Sequence, residues 1–359
     1  MITNPNIEPQ TCKVGTDVEL ANLEGKWIAQ EKFDGHRAIM YIKDGKAYFY
    51  SRRTSDVTGK KEDNTDRLYY LSNLSYPSIL DDTILDGELI SAWTHTDSSI
   101  VQQVLGSTPE RAKELWESGC RLEFMAFDVI ALQGNDLTDL PFVERLEKLC
   151  ILQDYMEKQG IEGIKFAKVY IDKHFNLDNI NPLFTQYYYY VDNYPNLLNE
   201  ILIFDGEGLI LKAYDSPYEF KRSKNWLKFK AVKTADLVIM SFVPPKKEYT
   251  GKFTKEELIE RGWQYWEDGE PVSKTYAKGW VAGIRLGAYK NGKLKYVTTA
   301  KGFSDDVQET IKHDDLSNVV VEVEYQGIIN PDTKSLRHPR FKMFRYNKNI
   351  EDCKWEDIS

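Results

Sequence analysis

The sequence predicts an α+β protein of two domains, a sheet-and-helix domain followed by an all-β one. At 359 residues the chain exceeds the roughly 250 to 300 residues at which a single hydrophobic core stops growing. Its first two thirds mix strand-like with helix-like runs, whereas after Asp236 short β-type runs follow one another with few helices between them. A content of 42% hydrophobic residues is enough to build cores of that size.

From Trp27 to Arg53 the chain alternates as strands do, and Asp44-Gly45 between two alternating runs predicts a hairpin. Thr83 to Trp93 and the aromatic-rich apolar run Arg121 to Leu132 read as further strands. A helix is expected from Asp139-Leu140-Pro141 to about Gly160, because Phe142, Leu146, Leu149, Leu152 and Met156 recur at steps of three and four. Gly206 to Tyr214 is a strand again, followed by a basic loop and a strand over Trp226 to Val232. Beyond Asp236 the runs DLVIMSFV, GWVAGIRLGAY, KLKYVTTA and VVVEVEYQGI suggest a small barrel or sandwich. Residues 244–278, rich in Pro, Glu and Lys with one short helical pattern, read as an insertion on it, either a replacement DNA contact or a floppy surface segment.

No stretch approaches the roughly 18 consecutive apolar residues of a membrane helix, and Met1 to Gln10 has neither a basic nor an apolar region, so membrane insertion and secretion are set aside. Cys12, Cys120, Cys150 and Cys353 lie far apart, which suggests neither a zinc cage nor a disulfide framework and fits a reducing cytoplasm. The net charge of -9 by itself argues against a polyanionic partner. The basic residues are clustered, however. Lys212 to Lys233 holds seven basic residues against Asp215 and Glu219, and Lys334 to Arg345 holds five and no acid. Such stretches beside Trp226, Phe229, Phe341 and Phe344 suit a nucleic-acid backbone.

The chemistry concentrates in a few segments. Lys32-Phe33-Asp34-Gly35-His36-Arg37 puts an amine, a carboxylate and a guanidinium at a strand end, with a glycine that lets backbone approach a ligand. A nucleophilic lysine needs nearby cations or desolvation. Trp226, Lys228 and Lys230 share one face of a strand, which suits a phosphate. Carboxylates on apolar strands, in Asp86-Gly87-Glu88-Leu89 and Glu207-Gly208-Leu209, are either solvent-facing or paired with cations or a metal.

In this order the segments resemble the ATP-dependent DNA ligases, within the nucleotidyltransferases that use a covalent lysine adduct. EKFDGHR is similar to the family's K-x-D-G-x-R nucleophile motif and Ser51-Arg52 to its second motif. LDGEL, FMAFDVI, EGLILK, WLKFK and SLRHPRFKMFRYNK follow in the family's order, so the resemblance spans Lys32 to Lys348. It implies a nucleotidyltransferase (ATP-grasp-like) adenylylation domain over residues 1–233, an OB-fold domain over 234–359 and a hinge near Lys233 to Asp236. With a short segment before Lys32, the chain resembles the compact two-domain ligases of bacteriophages and some bacteria. The implied activity is sealing of 5′-phosphate/3′-hydroxyl nicks in duplex DNA by a monomer that clamps or encircles its substrate.

The resemblance also implies roles. Lys32 would attack the α-phosphate of ATP, with Lys228 and Lys230 neutralising it. Gln30, at a position where the family often has glutamate, would read the adenine amine. Glu88 would take the ribose hydroxyl, while Phe127 and Ile210 would cover the two faces of the base. Arg37 and Arg52 would hold ribose and phosphates or the nick 5′-phosphate, and Asp34 and Glu207 would bind Mg²⁺. Arg345 and Lys348 would orient pyrophosphate, although Asn347 stands where the family's motif has aspartate. Arg52, Arg53, Lys221, Arg222, Arg337 and Arg340 would contact DNA. The alternatives are an NAD-dependent ligase, an RNA ligase or capping-type enzyme, and a non-catalytic nick-binding protein. Against the first stand the short N-terminal segment and the unpaired cysteines. The intact Lys32, Glu88, Glu207, Lys228 and Lys230 speak against the last.

Overall fold

Asp44 and Gly45 both take positive φ, 50° and 71°, as a tight hairpin turn between right-twisted strands requires. The strands they join, His36–Lys43 and Lys46–Thr54, pair antiparallel. The computed structural model describes residues 7–23, 26–54, 59–93, 98–174, 182–204, 206–230, 233–251 and 253–358. The chain divides into two units, Met1–Lys230 and Ala231–Ser359.

The first unit holds two sheets. One runs Lys61–Asp63, Lys46–Thr54, His36–Lys43, Thr83–Ser91, Leu122–Leu132 and Asn135–Asp136, with Ile164–Phe166 parallel to Leu122–Leu132. The expected helix forms over Phe142–Lys158, begins immediately after Pro141, and buries Phe142, Leu146, Leu149, Leu152 and Met156 in the main core. The other sheet runs Thr11–Val14, Arg222–Lys230, Gly208–Ala213, Trp27–Glu31, Val169–Asp172 and Tyr188–Val191. Its odd-numbered residues, among them Ala29, Leu209, Leu211, Leu227 and Phe229, pack on Tyr194, Leu197, Leu198 and Ile201 of the helix Tyr194–Ile203. The opposite, even-numbered face is thereby left for polar work. Part of the expected basic loop is strand, because Arg222 and Ser223 pair in parallel with Thr11 and Cys12.

In the second unit five antiparallel strands run in the order Lys293–Ala300, Gly283–Lys290, Lys233–Val243, Val320–Tyr325 and Arg340–Arg345. A bridge from Lys301 to Arg340 joins the two outer strands, so the sheet curls toward a barrel, and the helix Asp305–His313 lies in the connection between the third and fourth strands in sequence. Asn291-Gly292 makes the expected turn, with φ of 52° and 71°. This is the OB-like arrangement that the short β runs predict.

Lys233 to Asp236, near which the hinge is expected, pair in register with Tyr325 to Glu322. Residues 231 and 232 lie outside the described ones. One expectation needs correction: the described residues of the insertion at 244–278 are not floppy. Thr254 and Glu257 form a capping box on Lys255–Glu260, Trp263 packs edge-on against Tyr249 and Tyr265, and Ser273 Oγ donates to Lys246 O at 2.6 Å. Among the described residues no helix is long and apolar enough to cross a membrane. All four cysteines are free thiols.

Candidate active site

Strand register assembles the site. On the even-numbered face of the Thr11–Val14 sheet, cross-strand partners form three rows about 6.7 Å apart, the spacing of two residues along a strand. The first row is Lys32, Gly208 and Lys230, the second Gln30, Ile210 and Lys228, and the third Ile28, Lys212 and Trp226. Above them opens a cavity of about 270 Å³ whose lining includes Lys32, Gln30, Ile210, Lys212, Trp226, Lys228 and Lys230, with Arg37, Arg52, Glu88 and Phe127 from the other sheet. One end of the cavity is thus cationic and the other aromatic.

Two glycines make this convergence sterically feasible. A Cβ on Gly208, whose φ is 145°, would stand 2.0 Å from Phe229 O, so only glycine lets Lys230 come this close to the Lys32 strand. A Cβ on Gly35 would meet Leu89 O at 2.2 Å and Glu88 Cγ at 2.8 Å. Gly35 therefore serves the approach of one strand to another rather than of backbone to a ligand.

The cationic end is tied by a single carboxylate. Glu207 Oε2 accepts from Lys32 Nζ while its Oε1 lies 2.7 Å from Lys230 Nζ. Lys228 has no ion pair among the described residues, and burial, together with the like charges of Lys230 and Lys32, lowers its pKa. Sequence reasoning placed Glu207 and Asp34 on a metal. In the structure Glu207 has both oxygens engaged by lysines, and Asp34 is buried away from the cavity wall. No three His, Cys, Asp or Glu side chains come together among the described residues. A hard cation held by Asp34 or Glu207 would therefore draw on phosphate oxygens as well.

Arg37 lines the cavity with partners of its own. Its Nε donates to Asp86 Oδ1 at 2.6 Å and its Nη2 to Gln10 O at 3.0 Å, while the guanidinium lies 4.6 Å from the Phe127 ring centroid. Tyr218 adds an O–H donated to Asp86 Oδ2 at 2.6 Å. Arg37 is thus anchored to a fully buried carboxylate and to the Phe127 ring while it still lines the cavity. Glu88 stands half-buried beside it, and burial pushes its carboxyl up to about 7 against the pull of Arg37 and Lys32. Near neutrality such a carboxyl both donates and accepts, which suits a sugar hydroxyl.

Sequence reasoning missed several parts. Lys212 is 1% exposed, donates to Phe127 O at 2.8 Å and lies 4.1 Å from the Trp226 ring centroid; burial lowers its pKa to about 7. Its even number, shared with Ile210, was the available signal. Behind it Arg145 grips Asp128 at 2.9 and 3.0 Å, both fully buried. Cys12 reaches the cavity from a strand near the start of the chain, and no local pattern announces it.

Of the residues expected on DNA, Arg52 and Arg222 line the cavity and are exposed, Arg53 is exposed outside it, and Lys221 is paired with Glu219 at 3.1 Å. Arg337, Arg340, Arg345 and Lys348 belong to the second unit. There Asp236 lies 2.6 Å from Lys348 and 3.6 Å from Arg345, and Glu322 lies 3.0 Å from Arg345 and 2.9 Å from Lys342. Asp236 thus supplies in space a carboxylate that Asn347 does not supply in sequence.

Comparison with known proteins gives the same direction. A family model described as the ATP dependent DNA ligase domain matches residues 9–230. The DNA ligase of Natronomonas pharaonis is 25% identical over 367 residues, covering 98% of this chain and 58% of that protein. A probable DNA ligase of Dictyoglomus thermophilum is 29% identical over 278 residues, covering 74% of this chain and 42% of that one. The chain spans about half the length of these curated relatives. The fold is similar to the solved structure of a Lig E DNA ligase, with a TM-score of 0.55 at 16% identity, covering 94% of this chain and 98% of the other.

Proposed function

This chain belongs to the ATP dependent DNA ligase domain family, and on that premise we propose that it seals 5′-phosphate/3′-hydroxyl nicks in duplex DNA at the expense of ATP. The observation that supports this most is the first row of the cavity, where Lys32 and Lys230 share Glu207 beside the unpaired Lys228. Two cations on one carboxylate, with a third that has no ion pair among the described residues, leave an excess of positive charge where a phosphate would sit.

In the first step the triphosphate displaces Glu207 from Lys32, the ammonium gives up a proton to solvent, and the neutral Nζ attacks the α-phosphorus. The N–P bond forms as the bond to pyrophosphate breaks, leaving AMP on Lys32 as a phosphoramidate. Lys228 and Lys230 balance the charge on the phosphoryl oxygens, which is most of what a protein contributes to phosphoryl-type transfer. Glu88 holds the ribose hydroxyl, Phe127, braced by Arg37, covers the base, and Ile210 forms its floor. In the second step the nick 5′-phosphate oxygen attacks the same phosphorus and frees Lys32. In the third the 3′-hydroxyl attacks the 5′-phosphate and AMP leaves. Arg52 and Arg222, exposed at the cavity, receive the 5′-phosphate, with Arg53 and Lys221 beside them on the duplex backbone. The second unit, with Arg337 and Arg340, adds backbone grip.

The test is direct. Purified protein, ATP and a divalent cation should convert a 5′-phosphorylated nicked duplex to continuous strand on a denaturing gel, and should leave an unphosphorylated nick open. Failure to seal, with an intact adduct on the protein, would leave a nucleotidyltransferase of another substrate.

A further inference from the structure

Gln30 sits at the centre of the cavity floor, 1% exposed, and neither its Oε1 nor its Nε2 has a hydrogen-bond partner among the described residues. Buried amides are almost always paired, so an unpaired one in a cavity wall points to a polar ligand that completes it. The indole N–H of Trp226, in the same wall and 1% exposed, also lacks a partner among the described residues. The cavity wall thus holds one acceptor group and two donor groups that have no partner among the described residues.

Among the described residues nothing fixes which way the Gln30 amide points. Its cross-strand neighbours, Val169 and Ile210, have apolar side chains that offer neither donor nor acceptor. Gln10 makes the contrast, since its Oε1 accepts from Glu219 N–H and its orientation is thereby set. A purine presents two groups along its six-position edge. In adenine the exocyclic amine donates and N1 accepts, whereas in a 6-oxopurine O6 accepts and N1–H donates. A half-turn of an unpinned amide exchanges its donor for its acceptor and satisfies either edge with two hydrogen bonds. A carboxylate in that place would offer acceptors only and would repel O6.

We infer that Gln30 makes this pocket a reader of the purine six-position that accepts 6-amino and 6-oxo nucleoside triphosphates alike, so that Lys32 takes up either nucleotide. The inference rests on the nucleotidyl transfer proposed above. It sets aside the 2-amino group of guanine, for which the cavity makes separate demands of space, and so the informative probe is inosine triphosphate.

The experiment measures kcat/KM for adduct formation at Lys32 with α-labelled ATP and α-labelled ITP, for the wild type and for Gln30→Glu. The expected wild-type ratio of ATP to ITP lies within about tenfold, against the roughly ten-thousandfold by which a site built to one hydrogen-bonding pattern rejects the other. Gln30→Glu should lower ITP use relative to ATP by about a hundredfold, two hydrogen bonds being replaced by a repulsion. Normal labelling by ATP with ITP rejected by more than about a hundredfold in the wild type overturns this inference alone. So does an unchanged ratio in a Gln30→Glu protein that still labels with ATP. Should that variant not fold, the wild-type ratio decides by itself. No adduct from either nucleotide would instead overturn the nucleotidyl transfer on which the inference rests.

Discussion

The two basic clusters of the molecule use the same side chains and differ in their supply of carboxylate. At the cavity, Lys32 and Lys230 share Glu207 and Lys228 has no ion pair among the described residues. In the second unit, Lys342, Arg345 and Lys348 meet Asp236 and Glu322, and Lys342 also lies 4.0 Å from Glu324. The first cluster therefore keeps positive charge available for an incoming phosphate, while the second is largely neutralised within its own unit. A count of lysines and arginines along the chain cannot tell these apart, because the deciding carboxylates come from distant strands.

Removing the unpaired cation should separate the two most sharply. Lys228→Met is expected to slow adduct formation by about a hundredfold to a thousandfold, as loss of one electrostatic donor at a developing charge does. Its thermal midpoint should stay close to wild type, since no carboxylate is left without a partner. A labelling rate within a few fold of wild type would break the comparison.

Asp236→Asn should do the reverse. Arg345 and Lys348 lose the carboxylate they share, and the protein should lose roughly 1 to 2 kcal/mol, seen as a midpoint a few degrees lower. The same change adds positive charge, so affinity for nicked duplex should fall more steeply with salt, by about one unit in the log–log slope for each further phosphate contact. An unchanged midpoint would mean that the second cluster is not held by Asp236.

A smaller effect follows from Glu88. Its carboxyl is pushed by burial from 4.5 up to about 7, so the folded protein binds this proton more tightly than the unfolded chain does. The stability this confers is complete below about 4.5 and is lost as pH rises through about 7. Glu88→Gln should flatten that part of the pH–stability curve, as followed by thermal melts between pH 5 and 8. A slope identical to wild type would remove Glu88 from the account.

What the sequence made legible, and what it did not, follows from the reach of local patterns. Strand parity is a two-residue property, and it correctly set Trp226, Lys228 and Lys230 on one face. The D-G and N-G turns were equally local and fixed both hairpins. Partner choice is not local. Arg37 donates to Asp86, 49 positions along the chain, and Asp86 in turn accepts from Tyr218, a further 132 positions on, so no local pattern announces the network. The bond from Lys32 to Glu207 likewise spans 175 positions. Cys12 enters the cavity through a parallel pairing with Arg222 and Ser223 that no nearby residue predicts.

The central claim is that Lys32 is the nucleophile of this cation-rich row. Its most direct test is to incubate the protein with α-labelled ATP, digest it and locate the label by mass spectrometry. One AMP per chain on the peptide carrying Lys32, chased off by nicked DNA and absent from Lys32→Ala, is the predicted result. Label at another residue, or undiminished labelling of Lys32→Ala, would contradict it.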